Sequence, residues 1–163
     1  MTIPVNVQDI VDALELQNDE SAAFLDRETG EVHVISHEAL RLAEDETGPG
    51  DQLSAREAAE FALAERILDS DQFVELPSAR DVHEWRMMES FCYSIDDKLV
   101  REQCLGAIHG RGAFRYFKDT IAQHGLRDSW YAFRDEELRT IAIEWCAENE
   151  IAYATDQPAN AAG

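Results

Sequence analysis

The sequence predicts an α+β fold, with a small antiparallel sheet near the N-terminus and a mostly helical C-terminal half. Three observations carry this. Val32 and Val34 alternate with Glu31 and His33, the period-two pattern of a half-buried strand. That run and Ala22 to Asp26 flank Arg27-Glu28-Thr29-Gly30, where Gly30 supplies the left-handed residue that such a hairpin turn often needs. Beyond residue 80, apolar residues recur at steps of three and four, the period of a helix face. The hairpin covers about 22–35, a third short strand about 73–76, and 151–153 offers one more strand to the sheet.

The remaining elements follow from local chemistry. Asn6 caps a first helix, Asp9 suits its positive end, and Val7, Ile10, Val11 and Leu14 form its apolar stripe. Ser36 caps a short helix to Glu44. Segment 45–53, with Gly48-Pro49-Gly50, reads as an exposed loop. Ser54 and Glu57 form a capping box, and the helix they open turns Phe61, Ala64 and Leu68 inward. Pro77 ends the third strand. Ser78 and Asp81 repeat the box with Asp for Glu and open a helix carrying Val82, Trp85, Met88 and Cys92 inward. Asp96 or Asp97 begins the next, with Leu99, Val100, Cys104 and Ile108 apolar. A helix after Gly112 ends near His124, stopped by Gly125. The last helix is expected to start at a cap on Asp135, bury Leu138, Ile141, Ala142 and Trp145, and end at Asn149.

Length and charge bound the rest. A chain of 163 residues suits one domain, read here as residues 1–155, with an acidic N-terminal stretch (1–79), a helical C-terminal stretch (80–155) and a disordered tail (156–163). The formal charge is −20, which argues against direct binding to nucleic acid or an anionic membrane. The acidity is uneven: residues 1–79 hold 19 Asp/Glu against 4 Lys/Arg, whereas window 98–139 holds 6 against 8. Cys92, Cys104 and Cys146 are an odd set without C-x-x-C spacing, which fits buried thiols in a reducing compartment. No apolar run approaches the roughly 20 residues of a membrane span, and the N-terminus lacks a signal-peptide pattern. The expected location is cytoplasmic.

The densest candidate site is Gly110-Arg111-Gly112-Ala113-Phe114-Arg115-Tyr116-Phe117-Lys118-Asp119. Its glycines allow a turn at little cost, and Phe114, Phe117 and Ile121 share one helix face. Two readings stand. In one, the stretch is a tight helix–helix connection, with Phe114, Phe117, Trp85 and Trp145 buried in one cluster. In the other, Arg111 and Arg115 join the backbone N–H groups of a helix start to hold an anion. Arg111, Arg115, Lys118 and Trp130 are the binding candidates. Arg115 is expected to be mainly structural, paired with Asp119 or other carboxylates, and Arg111 and Lys118 more exposed.

Phe24-Leu25-Asp26-Arg27-Glu28-Thr29-Gly30-Glu31-Val32, Phe73-Val74-Glu75-Leu76-Pro77, Met88-Glu89-Ser90-Phe91, the ten residues from Gly110, then Trp130-Tyr131-Ala132-Phe133 and Glu144-Trp145 together give a resemblance. They resemble the uncharacterised bacterial family UPF0158, over about residues 5–153. The resemblance implies one intact fold and carries no activity, cofactor or catalytic residue.

The residues themselves show no hydrolase elbow, dinucleotide fingerprint or His-Glu-x-x-His motif. His33 and His37 flank a strand–helix junction and do not share a helix face, so neither a metal site nor a cofactor is expected. Cys104 and His109 invite a nucleophile–base reading, opposed by the apolar stripe around Cys104. Three function classes follow. The first is a non-catalytic binding or regulatory protein acting through a protein partner. The second is an acidic mimic of nucleic acid that occupies a basic partner. The third is an enzyme with an unrecognised site near Gly110–Asp119.

Overall fold

The structure, a computed structural model, describes residues 3–45 and 53–155. The expected loop 45–53 lies outside them except at its ends, and the expected tail 156–163 lies outside them entirely. The chain divides into two compact units, residues 1–82 with 141–163 and residues 83–140.

Unit 1 is built on a three-stranded antiparallel sheet. β2 (Ser21–Asp26) lies between β3 (Val32–Ser36) and β4 (Phe73–Glu75). Phe24 stands opposite His33 on one side and Glu75 on the other. The hairpin turn closes through Asp26 N–H to the Glu31 carbonyl at 2.9 Å and Gly30 N–H to the Asp26 carbonyl at 2.8 Å. Gly30 has φ +77°, the left-handed conformation expected of it.

Around the sheet, α1 (Val7–Leu16) is capped by the Asn6 side chain and buries Val7, Ile10, Val11 and Leu14. α2 (His37–Glu44) is capped by Ser36. α3 (Ala55–Asp69) starts in the expected Ser54/Glu57 capping box. Ile35, Ala39, Ala64 and Ile67 form a core with Phe24, Leu40, Leu63 and Phe73 packed against it. The inward face of α3 is thus rotated from the expected one: Ile67 is buried and Leu68 is exposed. The reason is an anchor, since the Ser36 hydroxyl donates to Glu60 at 2.8 Å and Glu60, Leu63, Ala64 and Ile67 share one helical stripe.

The 151–153 segment also differs from expectation. β5 (Tyr153–Ala154) does not join the main sheet. It pairs in parallel with β1 (Val5–Asn6) as a separate two-stranded ribbon.

The Ser78/Asp81 box forms, with both reciprocal bonds near 3 Å, but opens only the single turn α4 (Ala79–Val82). His83 has φ +54°, and this left-handed residue breaks the expected continuous helix. Unit 2 therefore starts afresh at α5 (Glu84–Ser94), followed by α6 (Lys98–Ala107) and α7 (Ala113–Gln123). Asp97 is the cap of α6, accepting from the Leu99 and Val100 N–H groups.

α8 (Arg127–Glu148) is one helix of 22 residues, belonging to unit 2 as far as Thr140 and to unit 1 from Ile141. Asp135 is therefore an interior residue rather than a cap. The Leu126 N–H bonds the Ile121 carbonyl across the left-handed Gly125, and Trp130 N–H bonds Leu126, so the helix restarts at once. No helix among the described residues is long and apolar enough to cross a membrane.

Candidate functional site

The core of unit 2 is aromatic. Phe91, Phe117, Trp130 and Phe133 meet mostly edge to face, with centroids between 4.9 and 6.4 Å apart. Phe117 and Ile121, one turn apart, are the buried positions of α7. Trp130, a binding candidate by sequence, is buried to within 2% of its surface and belongs to this core. The packing uses it as a wall of that core rather than as part of a surface patch.

The expected single cluster of Phe114, Phe117, Trp85 and Trp145 does not form. Phe117 and Trp145 are buried, but Phe114 is 47% exposed and Trp85 39%. Trp145 lies in unit 1, where its indole N–H donates to the Glu75 carbonyl. Trp85 donates to the Ile108 carbonyl at 2.9 Å and meets the His109 ring edge-on. Its hydrogen bond fixes the ring on the surface of the turn. Leu99, one of the apolar positions of α6, is exposed because Asp97 caps the helix two residues earlier and the inward face falls on Cys104 and Ile108.

The glycine turn sets the start of α7. Gly110 has φ +91° and Gly112 φ +73°. A Cβ on Gly112 would come within 3.2 Å of the Tyr116 ring, so this position needs glycine for both its backbone and its neighbour. Gly112 is the N-cap residue and offers no side chain, and no acidic residue stands in the first turn. Arg115 and Lys118 are one turn apart, as are Phe114 and Lys118, and Arg111 leads into them from the turn. Arg111, Phe114, Arg115 and Lys118 are all exposed.

Arg111, Arg115 and Lys118 make no ion pair with any described residue. The expected structural role of Arg115 is therefore not found. Asp119 is four residues on, yet no pair forms, because the helix exposes both groups to water, where pairing gains little. Structural arginines lie elsewhere. Arg134 grips Glu84 through two bonds, at 2.7 and 3.2 Å. Arg66 approaches Asp26 at 3.8 Å and covers the Phe73 ring.

Charge is divided sharply between the units. Unit 1 holds 24 Asp/Glu against 5 Lys/Arg, and unit 2 holds 10 against 9. Within unit 1, a groove of about 490 Å³ carries Glu75 and Asp81 from the β4–α4 segment, and Glu144 and Glu148 from α8. Leu76, Pro77, Ile141 and Trp145 complete its lining, and no Lys or Arg belongs to it. The sequence offered no sign of this groove, since its two walls lie some 70 positions apart in the chain.

Asp26 is the one buried carboxylate among the described residues. Burial pushes its pKa up, but bonds accepted from the Glu28 N–H, the Gln72 side chain and Thr29 outweigh this and hold it below the ordinary value. Its role is to lock the hairpin turn.

The cysteines are all free and buried. Burial, with Cys104 alongside, pushes the Cys92 thiol up to about 12. Burial also raises Cys104, and it lifts Cys146 to about 11. Cys104 therefore faces Cys92 as a neutral thiol, whereas His109 is exposed against Trp85, and the two do not form a nucleophile–base pair. His33 lies 3.7 Å from Glu31 and tilts against Phe73. Among the described residues, no group of three or more His, Cys, Asp or Glu is placed to hold a metal ion.

No solved structure matches the chain. A UPF0158 protein of Pseudomonas aeruginosa is 27% identical over 135 residues, covering 82% of this chain and 76% of that protein. The model of the uncharacterised protein family UPF0158 matches residues 2–162, and over that span the chain belongs to this family.

Proposed function

We propose that the protein is a non-catalytic binding or regulatory protein that acts through a protein partner, using the exposed face at the start of α7. One observation carries the reading. In a chain with 34 carboxylates, Arg111, Arg115 and Lys118 are exposed without an ion-pair partner among the described residues, beside a half-exposed Phe114. An exposed aromatic beside arginines is the composition of a protein-interface anchor. The cations steer an acidic surface, and Phe114 supplies the apolar contact that water would otherwise cover. The three buried free thiols fit a reducing compartment, which supports a cytoplasmic location.

The test is site-specific photo-crosslinking in cells, with a photoreactive phenylalanine analogue at position 114. A discrete protein adduct is expected, and Arg111→Ala/Arg115→Ala/Lys118→Ala should abolish it without lowering the melting temperature. No adduct from position 114, with adducts appearing from a control position such as Tyr93, would overturn the reading.

A further inference from the structure

The exposed side of α7 is ordered around the helix. Phe114 borders the buried stripe of Phe117 and Ile121, Lys118 lies next to it, and Arg115 lies further round. Arg111 precedes them in the glycine turn. Trp85 stands at the same turn, 39% exposed, held by the Ile108 carbonyl and the His109 ring two residues before Arg111. We infer that the partner presents a short linear acidic segment to this face, with carboxylates on both sides of an apolar side chain. The cations take the carboxylates and Phe114 takes the apolar group. The inference rests on the protein-binding reading of α7 and names the chemistry of its occupant.

Charge complementarity carries the choice. Arg111, Arg115 and Lys118 have no ion-pair partner among the described residues, so no bond within the chain is broken when they take carboxylates. An arginine holds a carboxylate through two parallel N–H bonds, and a lysine holds it as a point charge. Phe114, 47% exposed, offers ring surface that an aliphatic or aromatic side chain covers. At about 1.5 Å per residue, Phe114 to Lys118 covers about 6 Å of helix, so a partner segment of a few residues meets the whole face. The positive field is local. Unit 2 holds 10 acidic against 9 basic residues, three of the nine being these cations, and the whole chain carries −20. At about 150 mM salt the Debye length is about 8 Å, so a short segment feels the three cations and little else. A nucleic-acid strand continues past the face with its phosphates and meets the acidic surround, which disfavours it.

An NMR titration of the isotope-labelled full chain tests this, because it detects weak binding and locates it. The probe is an end-capped synthetic peptide with one leucine inside a run of glutamates. Its control has glutamine in place of every glutamate. Amide shift changes should concentrate in residues 110–119, and the control should bind about tenfold more weakly or worse. Arg111→Ala/Arg115→Ala/Lys118→Ala should weaken binding of the glutamate peptide by about tenfold or more, and Phe114→Ala by about threefold. Tyr93→Ala, an exposed position on α5, should leave binding unchanged.

All the substituted residues are exposed, and unchanged circular dichroism and melting confirm that the variants fold. A glutamate peptide that shifts residues elsewhere or none at all, or that the triple variant still binds, overturns the acidic segment. So does a single-stranded oligonucleotide of equal charge that binds residues 110–119 more tightly than the peptide. If the peptide fails but position 114 still cross-links to a protein in an arginine-dependent way, the binding reading of α7 survives with a partner of different chemistry. If neither is seen, both fall.

Discussion

The Phe117 ring meets the Trp130 indole nearly at right angles, with centroids 4.9 Å apart and planes at 78°. Both side chains are buried, and Phe91 packs edge-on against each. This contact ties α7 to α8 and separates the two faces of α7, one turned to the aromatic core and one to water. Phe117→Ala should cost about 3–5 kcal/mol, the range for removing a buried phenylalanine. Phe114→Ala, half-exposed, should cost under about 1 kcal/mol. Urea unfolding of the two variants checks the contrast, and equal losses would show that the two faces are wrongly assigned.

Arg134 and Arg115 should differ in the same way. Arg134 donates twice to Glu84, and both groups are mostly covered. Arg134→Ala leaves a partly buried carboxylate without its partner and should destabilise by about 1–3 kcal/mol. Arg115→Ala should stay within about 0.5 kcal/mol of the wild type. Thermal melts decide this, and a large loss at Arg115 would restore the structural role expected from sequence.

Asp26 gives a pH signature. Its folded pKa is below that of the unfolded chain, near 3.9, so the ionised form is favoured by folding. The stabilisation is complete above that unfolded value and disappears as pH falls from it through the lower folded one. Asp26→Ala should cost about 2–3 kcal/mol at neutral pH by stranding the turn donors. Its stability should also fall less steeply than that of the wild type below about pH 4. Urea midpoints measured from pH 7 to pH 3 test both expectations, and parallel curves would mean that Asp26 carries no linkage.

The thiols give the opposite slope. Their folded pKa values lie above the unfolded ones, with Cys92 near 12 and Cys146 near 11. Stability from them is full below the unfolded thiol value of about 8.5 and is lost as pH rises toward the folded ones. At pH 8, native labelling by a thiol reagent should be much slower than in denaturant, where all three react. Rapid labelling of native Cys104 would show an accessible thiolate and revive the nucleophile reading.

The sequence by itself determined the elements whose cause is local. Asn6, Ser36, Ser54 and Asp97 cap the helices that follow them, because a cap needs only a side-chain oxygen and the next few N–H groups. Gly30 marks the hairpin turn, and the two strands flanking it pair antiparallel in one sheet. The family resemblance lay in the same short motifs.

Tertiary structure decided which residues at the edge of a periodic stripe face the core. Phe114 and Phe117 are equally apolar, and only the position of Trp130 and Phe91 makes Phe117 the buried one. Asp26 reads in sequence as one more turn carboxylate, and its burial depends on Gln72, 46 positions away. The fate of Arg115 was equally invisible, since 34 carboxylates offer partners on composition alone and none among the described residues stands close enough. The acidic groove joins the β4–α4 segment to the end of α8, and that juxtaposition arises only when distant segments pack together. Periodicity fixes which side of a helix can be buried; what it is buried against is a long-range fact.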